Sequence, residues 1–237
     1  MKWFNECNQE IGFPLKDWQP KKYPERVTIE GKHCWIEPLN SQTHAAQLFE
    51  AHKKAKDERI WTYIPIGPFN NLEDYQKFIT DIANSSQEVQ FAIINKKTGR
   101  SVGSFALMRI DKENGVAEVG YVVFSPELQK TTMATEAHYL LMKYVFESLD
   151  YRRLEWKCDS LNKPSQAAAQ RLGYKFEGTF RQIQVYKGRN RDTHWFSVID
   201  CEWDHCEKAF EQWMDEENFV NGKQKRSLVQ VRENLGR

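Results

Sequence analysis

Two segments of this 237-residue chain carry side chains at spacings that suit chemistry. The first, SPELQKTTMATEAHYLLMKYVF (residues 125–146), leaves an apolar alternating stretch, passes a turn without glycine and enters an amphipathic helix. Ala137, Leu140, Leu141, Tyr144 and Val145 recur at helical spacing, so one face of that helix is buried on a sheet. Its start must then sit at the carboxyl end of the strand before it, where open sheets with crossovers bind ligands. The first amides of a helix lack intrahelical partners and carry the positive end of the dipole, so those of Thr131, Thr132, Met133, Ala134 and Thr135 could hold an anion. Every helix starts this way, and Glu136 in the first turn would satisfy the dipole without any ligand. The second segment, NKPSQAAAQRLGY (residues 162–174), reads as a short helix with Pro164 in its first turn, Gly173 just past its end and alanines that permit close packing. Ser165 lies in that first turn, where its hydroxyl serves either as a cap or as a hydrogen-bonding catalyst.

The surrounding elements place both segments. VTIEGKHCWIEPL (27–39) alternates about Gly31 as two short strands; Ser41–Ala55 is helical, capped by Ser41 or Thr43; a second helix covers Leu72–Ala83. VQFAIIN, SVGSFALMRI and VAEVGYVVF form an antiparallel meander with tight turns at KKTG and DKENG. A helix over Thr132–Ser148, a strand over Arg152–Cys158, the short helix, and strands KFEGTFRQIQVY and RDTHWFSVID follow. Strand, crossover helix and strand imply one parallel pair in an otherwise antiparallel sheet. The predicted fold is α+β, a mixed twisted sheet with helices on both faces. Residues 1–26 read as an extended Pro- and aromatic-rich arm that caps the domain or a partner subunit, residues 27–205 as the domain, and residues 206–237 as a charged helix after Trp203 followed by a loose basic tail.

Composition excludes several classes. With 34 basic and 33 acidic residues the net charge is +1, so neither nucleic acid nor anionic membrane is an expected partner. No apolar run approaches the roughly 20 residues of a membrane span. Five cysteines without C-x-x-C, and an opening MKWFNECNQE without a signal-peptide core, predict reduced thiols in the cytoplasm. The pairs His33–Cys34 and His205–Cys206 lack ligand spacing, so no metal is expected. Cys158 is either a nucleophile or a buried structural thiol. KGRNRD (187–192) suits a solvated turn with a local ion pair. Trp61, Tyr63 and Phe69, in an aromatic loop, either wall an acceptor pocket or pack internally.

The run from EVGYVVFSPELQKTTMATEAHYLL to NKPSQAAAQRLGYKFEGTFR resembles the GNAT (Gcn5-related N-acetyltransferase) superfamily over about Val27–Trp203, and most its ribosomal-protein-alanine/serine acetyltransferase branch. The resemblance implies a GNAT fold and acetyl-CoA as cosubstrate, with the pyrophosphate on the turn Gln129, Lys130, Thr131, Thr132, Met133, Ala134. In the family pattern Q/R-x-x-G-x-G/A, the central glycine is here Thr132. It implies further that an amide within Val122–Phe124 polarises the acetyl carbonyl, that Asn162 contacts the pantetheine arm, and that Ser165 protonates or hydrogen-bonds the departing thiolate. The family's frequent tyrosine is here Ala169, and the branch's glutamate falls near Gln184. Glu118 is therefore the first candidate for the base and Glu155 the second. The expected activity is direct acetyl transfer to a primary amine, a peptide N-terminus or a small molecule, by a monomer or homodimer; a non-catalytic acyl-CoA-binding protein is the alternative.

Overall fold

The alternating segments pair into one eight-stranded sheet in a computed structural model that describes residues 2–236. A short hairpin of β1 (Trp3–Phe4) and β2 (Glu10–Ile11) precedes β3 (Ile29–Glu30), β4 (Cys34–Pro38), α1 (Ser41–Lys53), a 3-10 turn (Glu58–Trp61) and α2 (Leu72–Ala83). The meander is β5 (Val89–Asn95), β6 (Arg100–Asp111) and β7 (Val116–Phe124); then come α3 (Thr132–Lys143), which continues as a π-turn to Ser148, β8 (Arg153–Asp159) and α4 (Lys163–Leu172). The chain ends with β9 (Lys175–Tyr186), β10 (Arg189–Ile199), α5 (Asp200–Met214), a small hairpin of β11 (Phe219–Val220) and β12 (Lys223–Gln224), and α6 (Leu228–Leu235).

The strand order is β3-β4-β5-β6-β7-β8-β10-β9, and every pairing is antiparallel except that of β7 with β8. Helices cover both faces. Leu48, Phe49, Tyr75 and Ile79 of α1 and α2 bury Ala92, Ile94 and Val123 on one, while Ala137, Leu141, Leu172, Phe210 and Val231 of α3 to α6 bury Phe91, Phe105, Leu107 and Val119 on the other. Parallel pairing of β7 with β8 runs only from Val116–Arg153 to Val119–Trp156. Beyond it β7 stays bonded to β6 as far as Phe124–Gly103, with a bulge at Tyr121 (φ 47°), and β8 stays bonded to β10 as far as Asp159–Thr193. The two strands thus part as the arms of a V.

Charges close its apex. Glu118 and Glu155 are direct neighbours across the parallel pair, an arrangement that repels unless cations intervene. Lys157 Nζ lies 2.9 Å from Glu118 and 2.7 Å from Glu155, Arg109 donates to both oxygens of Glu118 at 2.8 and 2.7 Å, and Arg153 bonds Glu155 and Glu177, each at 2.8 Å. Glu118 is 3 % exposed.

The structure corrects several local expectations. Asn40, not Ser41 or Thr43, caps α1, its side chain accepting from the amides of Gln42 and Thr43. Glu136 does not serve the α3 dipole: its carboxylate accepts from the amides of Lys32, His33 and Cys34 at 2.7–2.9 Å and ties the β3–β4 turn to α3. Gly31 permits that approach, since a Cβ there would stand 2.7 Å from the carboxylate carbon. Helix α5 begins at Asp200, before Trp203, with Glu202 accepting from the amide of Ile199. The tail expected to be loose forms α6, held by buried Leu228 and Val231 and by Arg232 donating to the carbonyls of Gln170 and Arg171. The arm docks on its own chain through Trp18, which donates to the Glu113 carbonyl, and through Arg26, which donates to those of Ala83 and Ser85.

Two consequences are measurable. Glu118→Gln leaves the buried Lys157 under-compensated, and because Lys157 keeps Glu155 and Arg109 is half-exposed the expected loss is about 3 kcal/mol, the low end for a broken buried pair; urea denaturation at neutral pH checks it. Burial lowers the pKa of His138 to about 3, with Arg171 adding to the effect, and that of His52 to about 4. Both are neutral in the native state and titrate near 6.5 when unfolded, so their stabilisation is full above pH 6.5 and is lost as pH falls toward those values. Together they should remove about 2 kcal/mol between pH 6 and 5, and His138→Leu should roughly halve that histidine-dependent slope.

Candidate active site

The α3 start presents a short run of open amides. Thr131 is the N-cap: its hydroxyl accepts from the amide of Ala134 at 3.1 Å and donates to the Leu128 carbonyl. The Thr131 amide points to Leu128 and that of Thr135 to the Thr131 carbonyl. Among the described residues this leaves the amides of Lys130, Thr132 and Met133 without a protein partner, fewer than the five expected of Thr131 to Thr135. Thr132 begins the helix in ordinary backbone conformation; the left-handed residue of the turn is Lys130, φ 59°. A Cβ at position 132 therefore carries no backbone strain. Gln129 turns inward, its side-chain amide donating to the Phe124 carbonyl at 2.8 Å. Val122 and Phe124 lie on the arm of β7 that has lost β8, bonded to β6 on one side only.

The α4 start faces the same opening from the β8 arm. Asn162 is its N-cap, accepting from the amide of Ser165 at 3.2 Å. Ser165 is thus free of capping, and its Oγ accepts from the indole N–H of Trp156 at 2.9 Å. With one lone pair occupied by a fixed donor, the hydroxyl is oriented toward donation, and the Cys158 sulfur beside it is one partner within reach. The neighbouring Cys158 thiol is pushed up to about 11, chiefly by burial. It stays protonated near neutrality and reads as the structural thiol. Arg171 of α4 donates to Thr135 Oγ1 of α3 at 3.1 Å, locking the two helices together beside the opening.

The aromatic loop divides. Trp61 and Phe69 belong to packing: their rings meet each other and Tyr75 edge-on, under α1 and α2. Tyr63 instead reaches the α4 start, donating to the Leu161 carbonyl at 3.1 Å. Glu118 stands at the apex of the V, and its carboxylate is engaged by Arg109 and Lys157. Gln184 sits exposed on β9 opposite Arg191. Among the described residues, no three histidine, cysteine or carboxylate side chains converge as metal ligands.

Sequence reasoning missed Trp156 and His138. Buried indoles generally find an acceptor, so a tryptophan on the strand leading to α4 was a usable signal for what orients Ser165. His138 packs on the rings of Phe105, Phe124 and Trp156, and thus joins the two arms at the base of the opening; its helical position alone does not reveal this. The geometry offers amides for an anion at one end, a single-sided strand for an extended amide-bearing chain, and a positioned hydroxyl at the other.

Comparison with known proteins agrees with this geometry. The family model for the acetyltransferase (GNAT) domain matches residues 34–175. The chain is similar to a GCN5-related N-acetyltransferase from Brucella melitensis, with 42% identity and a TM-score of 0.90 over 92% of this chain and 100% of that one. It is also 33% identical to the uncharacterized N-acetyltransferase p20 of Bacillus licheniformis over 150 residues, 62% of this chain and 84% of that protein. The ribosomal alpha-N-protein acetyltransferase RimL shares the fold at 18% identity, with a TM-score of 0.62 over 73% of this chain and 94% of that one. By sequence and by fold, this chain belongs to the GNAT acetyltransferase family.

Proposed function

We propose that the chain transfers the acetyl group of acetyl-CoA directly to a primary amine, and that a peptide N-terminus in the cytoplasm is the acceptor. The observation that carries this reading is the shared opening of the V: unpaired amides at the start of α3 on one arm and the uncapped Ser165 hydroxyl on the other. Acetyl-CoA supplies an activated acyl carbon and a thiolate leaving group. The amides of Lys130, Thr132 and Met133 hold its pyrophosphate, Lys130 adds charge, and Ala134 keeps the approach narrow. An amide N–H of the Val122–Phe124 arm donates to the acetyl oxygen, on which negative charge develops. Asn162 borders the pantetheine path. The acceptor amine forms its bond to the acetyl carbon as the carbon–sulfur bond breaks; the sulfur takes up the electron pair, Ser165 hydrogen-bonds the departing thiolate, and the proton released by the amine nitrogen ends on that sulfur, giving the amide and free CoA thiol. No covalent enzyme intermediate is involved.

The amine must be neutral to attack. Glu118, the expected base, has both oxygens engaged by Arg109 and one of them also by Lys157. In this reading Glu118 shapes the apex electrostatically and the amine reaches the site already deprotonated. The RimL likeness supports a peptide amine. Saturating acetyl-CoA should raise the melting temperature, since about 100 times Kd adds roughly 2.7 kcal/mol, and thiol release should follow on adding N-terminal peptides. A shift without thiol release from any amine would indicate the acyl-CoA-binding alternative.

Ser165→Ala should lower kcat about a hundredfold and leave acetyl-CoA affinity nearly unchanged; lost affinity with kcat preserved would make Ser165 structural. Thr132→Gly should change affinity little. Thr132→Asp should weaken acetyl-CoA binding severely, because a carboxylate about 4 Å from a phosphate is repelled by roughly 4 kcal/mol at an effective dielectric near 20. Calorimetric titration of both variants reads this, and wild-type affinity in a folded aspartate variant would place the anion elsewhere.

A further inference from the structure

Helix α1 buries a histidine to which the transfer chemistry above gives no part. His52 is 5 % exposed, and the rings of Trp61 and Tyr75 meet it edge-on, with centroids 5.5 and 5.9 Å away. Its Nδ1 lies 3.4 Å from the Tyr75 hydroxyl. Tyr75 is buried too, which pushes its pKa up, so the phenol keeps its proton. A buried phenol directs that proton at an acceptor, and here the acceptor is Nδ1. The neutral imidazole therefore carries its own proton on Nε2. Among the described residues Nε2 has no hydrogen-bond partner although it is buried. A buried donor left unpaired is costly and rare.

That donor faces the arm of β7. Val123 packs in the same cluster as Trp61 and Tyr75, beneath α1 and α2. Its carbonyl favours the protonated ring of His52 against the larger effect of burial, yet falls short of a formed hydrogen bond. The peptide unit that carries this carbonyl has its N–H on Phe124. Ser125 donates its amide to the Val102 carbonyl of β6 at 3.1 Å, and Val123 stands opposite Ser104 of the same strand. Successive backbone groups alternate sides along an antiparallel ladder, so the Val123 carbonyl points to β6 and the Phe124 amide to the side that β8 has left. The bulge at Tyr121 lies before this stretch and leaves its alternation intact.

We propose that His52 and Tyr75 are positioning residues for the oxyanion donor: Tyr75 fixes the His52 tautomer, Nε2–H closes on the Val123 carbonyl as acetyl-CoA binds, and the peptide so polarised presents the Phe124 amide to the acetyl oxygen. The proposal deepens the transferase reading and rests on it for the place of the acetyl group. A hydrogen bond to a peptide carbonyl strengthens the N–H at the other end of that peptide, by about 10–30 % per bond in a chain. The gain rises as negative charge develops on the acetyl oxygen. Hydrogen bonds that serve a reaction are often long in the unliganded protein and tighten in the complex.

Infrared difference spectroscopy reads the hydrogen bond to the acetyl oxygen directly, with acetyl-CoA labelled by carbon-13 at the thioester carbonyl and bound without any amine. In the wild type the carbonyl stretch should lie below its position in water. His52→Phe keeps a ring and removes the donor; it should abolish most of that shift and lower kcat about tenfold, part of the hundred- to thousandfold that a whole oxyanion donor supplies. KM and the Kd for acetyl-CoA should stay within about twofold of wild type. His52→Gln, whose side-chain amide restores a donor, should recover about half of both losses. Tyr75→Phe removes one hydroxyl and should cost part of the shift and about threefold in kcat, the worth of a weak hydrogen bond. A wild-type stretch in either phenylalanine variant overturns the proposal. So does a fall in kcat matched by lost acetyl-CoA affinity, which would make His52 a packing residue alone. The stretch needs only bound acetyl-CoA, whereas thiol release by the wild type with an N-terminal peptide reports on the transferase reading by itself.

Discussion

The parallel pairing of β7 with β8 stops after Val119 and Trp156, and the site depends on that stop. A parallel neighbour requires a crossover, here α3, so each arm of the resulting V is followed by a helix starting at its carboxyl end. Both helix starts therefore face one opening without any loop having to be placed independently. Had the pairing continued to Phe124, the edge of β7 would be consumed by the ladder and nothing extended could lie beside it. The bulge at Tyr121 helps turn β7 away, and the buried ring of His138, wedged between Phe124 and Trp156, fills the space where the arms diverge.

Holding the arms apart requires a strong hinge. The ion ladder Arg109–Glu118–Lys157–Glu155–Arg153 supplies it at the last shared rungs, where adjacent carboxylates would otherwise repel. The same ladder bears on chemistry. The carboxylate expected to serve as base, Glu118, has its oxygens taken up by Arg109 and Lys157 and anchors the apex instead. Ser165 shows a different arrangement: Asn162 takes over the capping and Trp156 takes one lone pair, which turns the hydroxyl toward donation.

The mixed sheet with helices on both faces was legible because periodicity reports which face is buried, and the order of strand, helix and strand reports the crossover. Positions of backbone donors were legible only in part. The α3 start could be located, yet which amides stay open depends on Thr131 acting as cap, a choice between adjacent threonines that spacing does not make. Glu136 was misassigned because its partners, the amides of residues 32–34, are distant in sequence, and pairings of that kind leave no local pattern. Trp61 and Phe69 look like Tyr63 in a string of loop aromatics; only tertiary packing separates the two that fill a core from the one that reaches the α4 start. The tail composition reads as solvated, while Leu228 and Val231 together suffice to dock one short helix.

The central claim is that the open amides at the start of α3 receive the pyrophosphate of acetyl-CoA. Amide-resolved nuclear magnetic resonance of the labelled protein, titrated with acetyl-CoA to saturation, tests it most directly. The account predicts that the amide signals of Lys130, Thr132 and Met133 move strongly downfield and exchange more slowly, while that of Ala134, already bonded to Thr131, changes much less. Saturable binding that leaves those three amides unperturbed would contradict it.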